Sequence, residues 1–338
     1  MQAIEVSKPG KLDIIMKDMP KVSRPDDVLV RVKAVGVCGS DMHIYHGSNP
    51  FTVYPRVIGH EVSGEVAAIG NQVSTLKPGD RVALEPISYC GECYACRQGR
   101  QNVCVNLEVY GVHRDGGMRE FMVAPADNWH KVNENISFEA ASLTEPMTIG
   151  AQATMRGNVQ EGDTVLIMGA GPTGLSCLLM AKQLGATVLI SDFNQYRLDY
   201  AKSIGADHLL NPGEEDLEKV IIEKTDEELA NVVIDAVGTA RTFEQAVTLA
   251  SIAGKVVTLG FNEQPSSIPS LLLTKKELTV TGSRLQANQF GTVIKQVNIG
   301  KLDPAAMISH TFNFKQVKEA IQLLENPHQE ARKVVLTF

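Results

Sequence analysis

The apolar run Thr164 to Met168, entering Gly169-Ala170-Gly171-Pro172-Thr173-Gly174, constrains the fold of this chain more than any other feature. A β-rich run leads into the glycines and a helix-like run leaves them near Pro172, so the G-x-G-x-x-G spacing sits in a strand–turn–helix context. The first glycine permits a tight turn, the second lets a pyrophosphate approach the backbone, and the third lets helix and strand pack closely. The helix start adds amide donors and a positive dipole end. The uncharged stretch Thr164 to Ala181 is long enough to raise a membrane question, but three glycines and Pro172 divide it. A buried strand, turn and helix are expected there, and no membrane span.

Downstream the pattern alternates. Strands are expected at 164–168, 187–191, 207–210, 232–234, 255–259 and 278–281, with helices at about 172–184, 195–204, 214–224 and 241–251. Alternating elements need crossover connections, which build a parallel sheet covered on both faces: a doubly wound α/β domain. Asp192 follows the second strand, 18 residues beyond Gly174, where a carboxylate accepts hydrogen bonds from both ribose hydroxyls. That favours NAD over NADP. Arg197 lies close enough to suit a 2′-phosphate, which Asp192 would repel. The plainer reading is a glycine-rich turn whose Asp192 only caps the next helix.

Residues 1 to about 150 read differently, as short β-type runs (28–37, 62–69, 81–84) separated by glycine and proline. After the last strand of the alternating region, near Gly282, about fifty residues remain, with a helix-like stretch at 316–325 and a closing strand at 333–338. They are expected to rejoin the first region, giving a β-rich domain of 1–148 and 285–338 and a doubly wound domain of 149–284. A length of 338 residues accommodates two domains of roughly 150 each.

Four of the six cysteines, Cys90, Cys93, Cys96 and Cys104, fall within fifteen residues. Four thiolates converging on tetrahedral zinc, with bonds of about 2.3 Å, leave no open position, so this site is structural. A second, distributed constellation is Cys38, His60, Glu61 and Glu145. Mixed soft, borderline and hard ligands suit zinc acting as a Lewis acid. Taken singly, each has an ordinary explanation: a core cysteine, a satisfied histidine, surface carboxylates. The balance of 32 Lys+Arg against 39 Asp+Glu, with no basic run, argues against nucleic acid as a partner. The first ten residues carry no targeting pattern, and a cytoplasmic enzyme is expected.

Together these motifs resemble the zinc-containing medium-chain alcohol dehydrogenase family over essentially the whole chain. Glu145-Pro146 stands where other members place a cysteine ligand, which is similar to the polyol and sugar-acid branch with its sorbitol and L-threonine dehydrogenases. Tyr54-Pro55-Arg56-Val57-Ile58-Gly59-His60-Glu61, Tyr110-Gly111-Val112-His113 and Gly282-Ser283-Arg284 resemble the starvation-sensing-type and hexonate 5-dehydrogenases. The resemblance implies a GroES-like catalytic domain, a Rossmann NAD-binding domain and an active site in the cleft between them. It implies that Cys38, His60 and one or both of Glu61 and Glu145 hold a catalytic zinc. It further implies hydride transfer from a secondary alcohol to nicotinamide, with the proton leaving through Ser40, the cofactor ribose and His43.

The expected substrate is a sugar acid such as L-gulonate or L-galactonate. Arg284 is the candidate carboxylate anchor, with Arg56 and Arg119 as weaker ones. A homo-oligomer, dimer or tetramer, is expected. A sorbitol-type polyol or L-threonine dehydrogenase would share these motifs. A non-catalytic NAD-binding regulator is the alternative from another class. His46, His113, His130, His208, His310 and His328 show no ligand spacing and are read as structural or surface residues.

Overall fold

The structure, a computed structural model, describes residues 1–260, 262–326 and 330–338. His328 lies outside the described residues. The chain divides into two compact units, Met1–Glu145 with Phe290–Phe338, and Pro146–Gln289.

In the second unit six strands, Thr164–Met168, Thr187–Ser191, His208–Leu210, Ala230–Asp235, Ala250–Thr258 and Thr279–Gly282, form one sheet in the order 3-2-1-4-5-6. Every pairing is parallel. This is the dinucleotide-binding order, whose direction reverses between the first and fourth strands. Strand side chains alternate between faces. Val165 and Ile167 accordingly pack with Leu175, Leu178 and Ala181 of the helix Pro172–Gln183. Leu166 and Met168 pack on the other face with Ile221, Ala246 and Val247. Both faces are covered, which is why these strands read as continuous apolar runs.

Two helices depart from their expected limits. The one placed at 214–224 starts at Leu217, because the Asp216 carboxylate accepts from the Glu218 and Lys219 N–H groups and caps it. The one placed at 241–251 stops at Leu249, where Ala250 turns to extended backbone and opens the strand Ala250–Thr258.

The first unit is built on the eleven-residue strand Asp27–Val37. One edge pairs with Glu61–Ile69. The other is shared, residues 27–31 pairing with Phe121–Pro125 and residues 34–37 with the closing strand Lys333–Thr337. Loop Tyr110–Arg119 is clasped to the segment before His60: Gly117 N–H donates to the Gly59 carbonyl (2.8 Å) and Met118 N–H to that of Ile58 (3.0 Å).

The helix Thr144–Arg156 was not expected from the sequence. Pro146 argues against a helix, yet it stands in the first turn, where a missing N–H costs nothing. Among the described residues no helix is long and apolar enough to cross a membrane.

Candidate metal and nucleotide sites

The four-cysteine loop gathers its sulfurs tightly. Sγ separations are 3.4 Å for Cys90–Cys104, 3.6 Å for Cys93–Cys96 and 3.9 Å for Cys93–Cys104. Bonds of about 2.3 Å in a tetrahedron imply sulfur separations of about 3.8 Å, so the four thiols already bracket a zinc ion. Backbone N–H groups of Cys96 and Val105 draw the Cys93 thiol down to about 6, while desolvation and its sulfur neighbours push Cys96 up to about 12. Four adjacent thiols cannot all ionise without a cation, and a divalent ion removes that conflict. With every donor a thiolate, this is the structural zinc site.

The second site assembles at the end of the strand Asp27–Val37. Cys38 follows that strand and caps the helix Gly39–His46, Glu61 opens the neighbouring strand, and His60 immediately precedes it. One ligand atom from each of Cys38, His60 and Glu61 lies within 4.8 Å of the others. Asp41, fully buried, secures both segments: its carboxylate accepts from the Cys38 N–H (2.9 Å) and the Gly59 N–H (3.0 Å), and lies 3.9 Å from His60 Nδ1. This binding of ligand segments by an outer carboxylate is how metal ligands are oriented.

The charges around the triple are mutually supporting. Burial alone would lower the His60 pKa, but the neighbouring Cys38 sulfur, Asp41 and Glu145 hold it well above its ordinary value. Burial raises Glu145 to about 7, with His60 and Lys333 opposing and Glu61 reinforcing that shift. Glu145 therefore shares the electrostatic field of the triple without being part of its close group. Lys333 is buried, and its ammonium donates to Glu61 Oε1. Burial would lower its pKa; Glu61, Cys38 and Glu145 raise it instead. Glu61 Oε2 and the Ser40 and Thr144 hydroxyls are buried without hydrogen-bond partners. An orphaned carboxylate oxygen beside a thiol and an imidazole fits a zinc ion; these donors form the catalytic site.

Sequence reasoning found Cys38, His60 and Glu61 but gave no role to Asp41 or Lys333. Asp41 had a signal, since an acidic residue three positions after a helix cap has capping-box spacing. Lys333 had none. Three of the histidines read as structural have local partners: His46 lies 3.2 Å from Glu325, His130 2.8 Å from Glu85, and His113 Nδ1 accepts from the Val109 N–H at 3.1 Å. Arg56 is engaged with Asp115 at 3.4 Å and with the Val53 carbonyl.

In the second unit Gly169 takes φ +96°, and its N–H donates to the Ser191 carbonyl at 2.7 Å. A Cβ at Gly174 would overlap the Gly169 carbonyl, whereas one at Gly171 would meet nothing within 4 Å. The third glycine therefore serves packing, and the second faces open space beside Pro172 and Thr173. Asp192 Oδ2 accepts from the Ala170 N–H and Oδ1 from the Asn194 N–H, both at 2.9 Å. Its carboxylate is thus fixed against the glycine turn, with the Arg197 guanidinium 3.6 Å away. Arg284 follows the sixth strand and is half-buried.

The alcohol dehydrogenase GroES-like domain family matches residues 24–134, and the zinc-binding dehydrogenase family matches residues 172–298. The starvation-sensing protein RspB of Escherichia coli K12 is 42% identical over 100% of this chain and 99% of its own length. L-galactonate-5-dehydrogenase of the same organism is 33% identical, again over 100% of this chain and 99% of its own. The crystal structure of the rspB alcohol dehydrogenase from E. coli CFT073, complexed with NADH, superposes with a TM-score of 0.95 at 42% identity, covering 100% of this chain and 99% of that one. With two zinc-type donor sets, a GroES-like first unit and a parallel six-stranded Rossmann unit in place, the chain belongs to the zinc-containing medium-chain alcohol dehydrogenase family.

Proposed function

We propose that this dehydrogenase reversibly oxidises a secondary alcohol of a sugar acid to the ketone with NAD, L-gulonate and L-galactonate being the first substrates to test. The observation that carries the reading is the Cys38–His60–Glu61 triple, with His60 and Glu61 buried and Cys38 half-buried, in one chain with a glycine turn open over its second glycine. The likeness to L-galactonate-5-dehydrogenase supports the sugar acid.

Bound zinc supplies Lewis acidity that lowers the pKa of a hydroxyl, and bound NAD supplies the hydride acceptor. The chain's own residues do the rest. Cys38, His60 and Glu61 hold the ion, with Glu145 as an additional or exchanging ligand. Ser40, whose hydroxyl is buried and unpartnered, takes the alcohol proton. His43 stands one turn further along the same helix face, exposed, with Nδ1 2.9 Å from Ser48 Oγ. It would pass the proton on to water, bound NAD supplying the hydroxyl that relays it from Ser40. Carbon loses its hydrogen as hydride, so one oxidised alcohol yields one reduced nicotinamide and one released proton. Asp192 selects NAD by accepting from the ribose hydroxyls, and Arg284 grips the substrate carboxylate through paired hydrogen bonds.

The edge strand Thr279–Gly282 carries no charge or proline to discourage pairing, which supports a homo-oligomer. Six free cysteines suit the reducing cytoplasm.

Initial rates on hexonates, polyols, simple secondary alcohols and L-threonine, each with NAD and NADP, test the reading. Preference for sorbitol or L-threonine removes the sugar acid, and preference for NADP removes the role given to Asp192. Nucleotide binding without turnover on any alcohol leaves the regulator.

A further inference from the structure

Three adjacent strands meet at the catalytic triple, and their register places more than the ligands. Gly36 pairs with Glu61 on one side and with Val335 on the other. Paired residues share a face and side chains alternate along each strand. Gly36, Glu61 and Lys333, two residues before Val335, therefore lie on one face.

The Glu61 carboxylate is constrained at both oxygens. Lys333, 3% exposed, donates to Oε1, while Oε2 is buried without a hydrogen-bond partner. A Cβ at Gly36 would overlap Oε2 and stand 2.9 Å from Leu143 Cδ2. Gly36 sits in regular strand and is not among the glycines with positive φ, so only the space above it requires glycine. A buried cation so placed needs its anion, and that anion is a metal-site residue.

We propose that Lys333 and Gly36 are positioning residues for the catalytic metal. Lys333 fixes one oxygen of Glu61 so that the other is presented to the ion, and Gly36 leaves the space over which the carboxylate lies. This rests on the reading of Cys38, His60 and Glu61 as ligands. Neither residue touches substrate or metal. Both act through Glu61.

The test loads cobalt(II) into the catalytic site of the full-length, zinc-containing protein and records the visible ligand-field bands and the release of the ion to dipicolinate. K333M is expected to shift the bands and to weaken retention about 10- to 100-fold, as loss of an outer partner does. The Cys90–Cys104 zinc should stay in place. K333R should restore the wild-type spectrum. G36A should displace the carboxylate and reproduce the K333M signature, yet have no effect in an E61A background. If K333M fails to fold, the G36A and E61A/G36A pair decides the question. Wild-type bands and retention in the soluble variants, with only thermal stability lowered, would overturn the proposal and leave an ordinary buried ion pair. Failure of the ligand reading looks different: C38A and H60A would then bind cobalt as well as the parent.

Discussion

His60 and Glu145 both hold protons more tightly than they would in an unfolded chain, and this sets the pH response of the first unit. The stabilisation from His60 is present below its ordinary 6.5 and is lost as pH climbs through its raised folded value. Glu145 keeps in the fold, up to about 7, a proton the unfolded chain gives up from 4.5. Stability falls through that window as well, because the native state binds more protons than the unfolded one. Protein with zinc held only at Cys90–Cys104 should therefore lose thermal stability between pH 5 and 8, and E145Q should flatten the slope; equal slopes would show that Glu145 is not responsible. Metal retention should run the opposite way, tighter at pH 8 than at pH 6, since ligands bind deprotonated. The two donor sets should also separate on mutation. C38A or H60A should abolish turnover in a folded, NADH-binding protein, whereas C93A should mainly lower thermal stability; equal loss of folding from both would merge the two roles. Arg284→Ala should lower kcat/KM for L-gulonate more than for a neutral polyol of similar length, a selective loss of about 1.5–3 kcal/mol for a charged hydrogen bond. Equal losses on acid and polyol would remove the anchor.

The glycine turn separates two uses of one residue type. Gly174→Ala forces a Cβ into the rigid Gly169 carbonyl and should cost about 1–3 kcal/mol of stability. Gly171→Ala meets no protein atom within 4 Å, so the melting temperature should hold while NADH affinity, read by fluorescence titration, falls. Unchanged NADH affinity would mean that the pyrophosphate does not lie over Gly171. The same contrast shows what a sequence makes legible. Strands and glycine turns announce themselves through period and spacing within a few residues, and the four cysteines through their crowding. The helix Thr144–Arg156 was hidden behind Pro146, because a proline signals a break unless its place in the first turn is already known. In the sequence Lys333 shows only as the start of a closing strand. Its partner Glu61 lies 272 residues away, and no local pattern reports a contact that strand register creates.

At the scale of the molecule, the first unit is made from both flanks of the second. Among the described residues, residues 34–37 have their outer partners in the closing strand Lys333–Thr337, which in turn pairs with Ile308–Asn313. A chain ending at Arg332 should leave that edge unpaired and lose Lys333 from the metal site. Hydrogen exchange should then show faster exchange at residues 34–37, while residues 27–31, paired with Phe121–Pro125, and the strands of Pro146–Gln289, which keep their own core, stay protected. Protection unchanged at residues 34–37 would mean that the closing strand is dispensable.

The arrangement also fixes an order of events during synthesis, where residues emerge from the N-terminus onward. The Cys90–Cys104 loop draws all its donors from one short stretch and can capture an ion early in translation. The nucleotide unit is complete once Gln289 is free of the ribosome. The sheet beneath Cys38 must wait, its outer edge open, until residues 308–337 arrive. The nascent enzyme therefore passes through an interval in which the Rossmann unit is complete while the catalytic metal site still lacks Lys333.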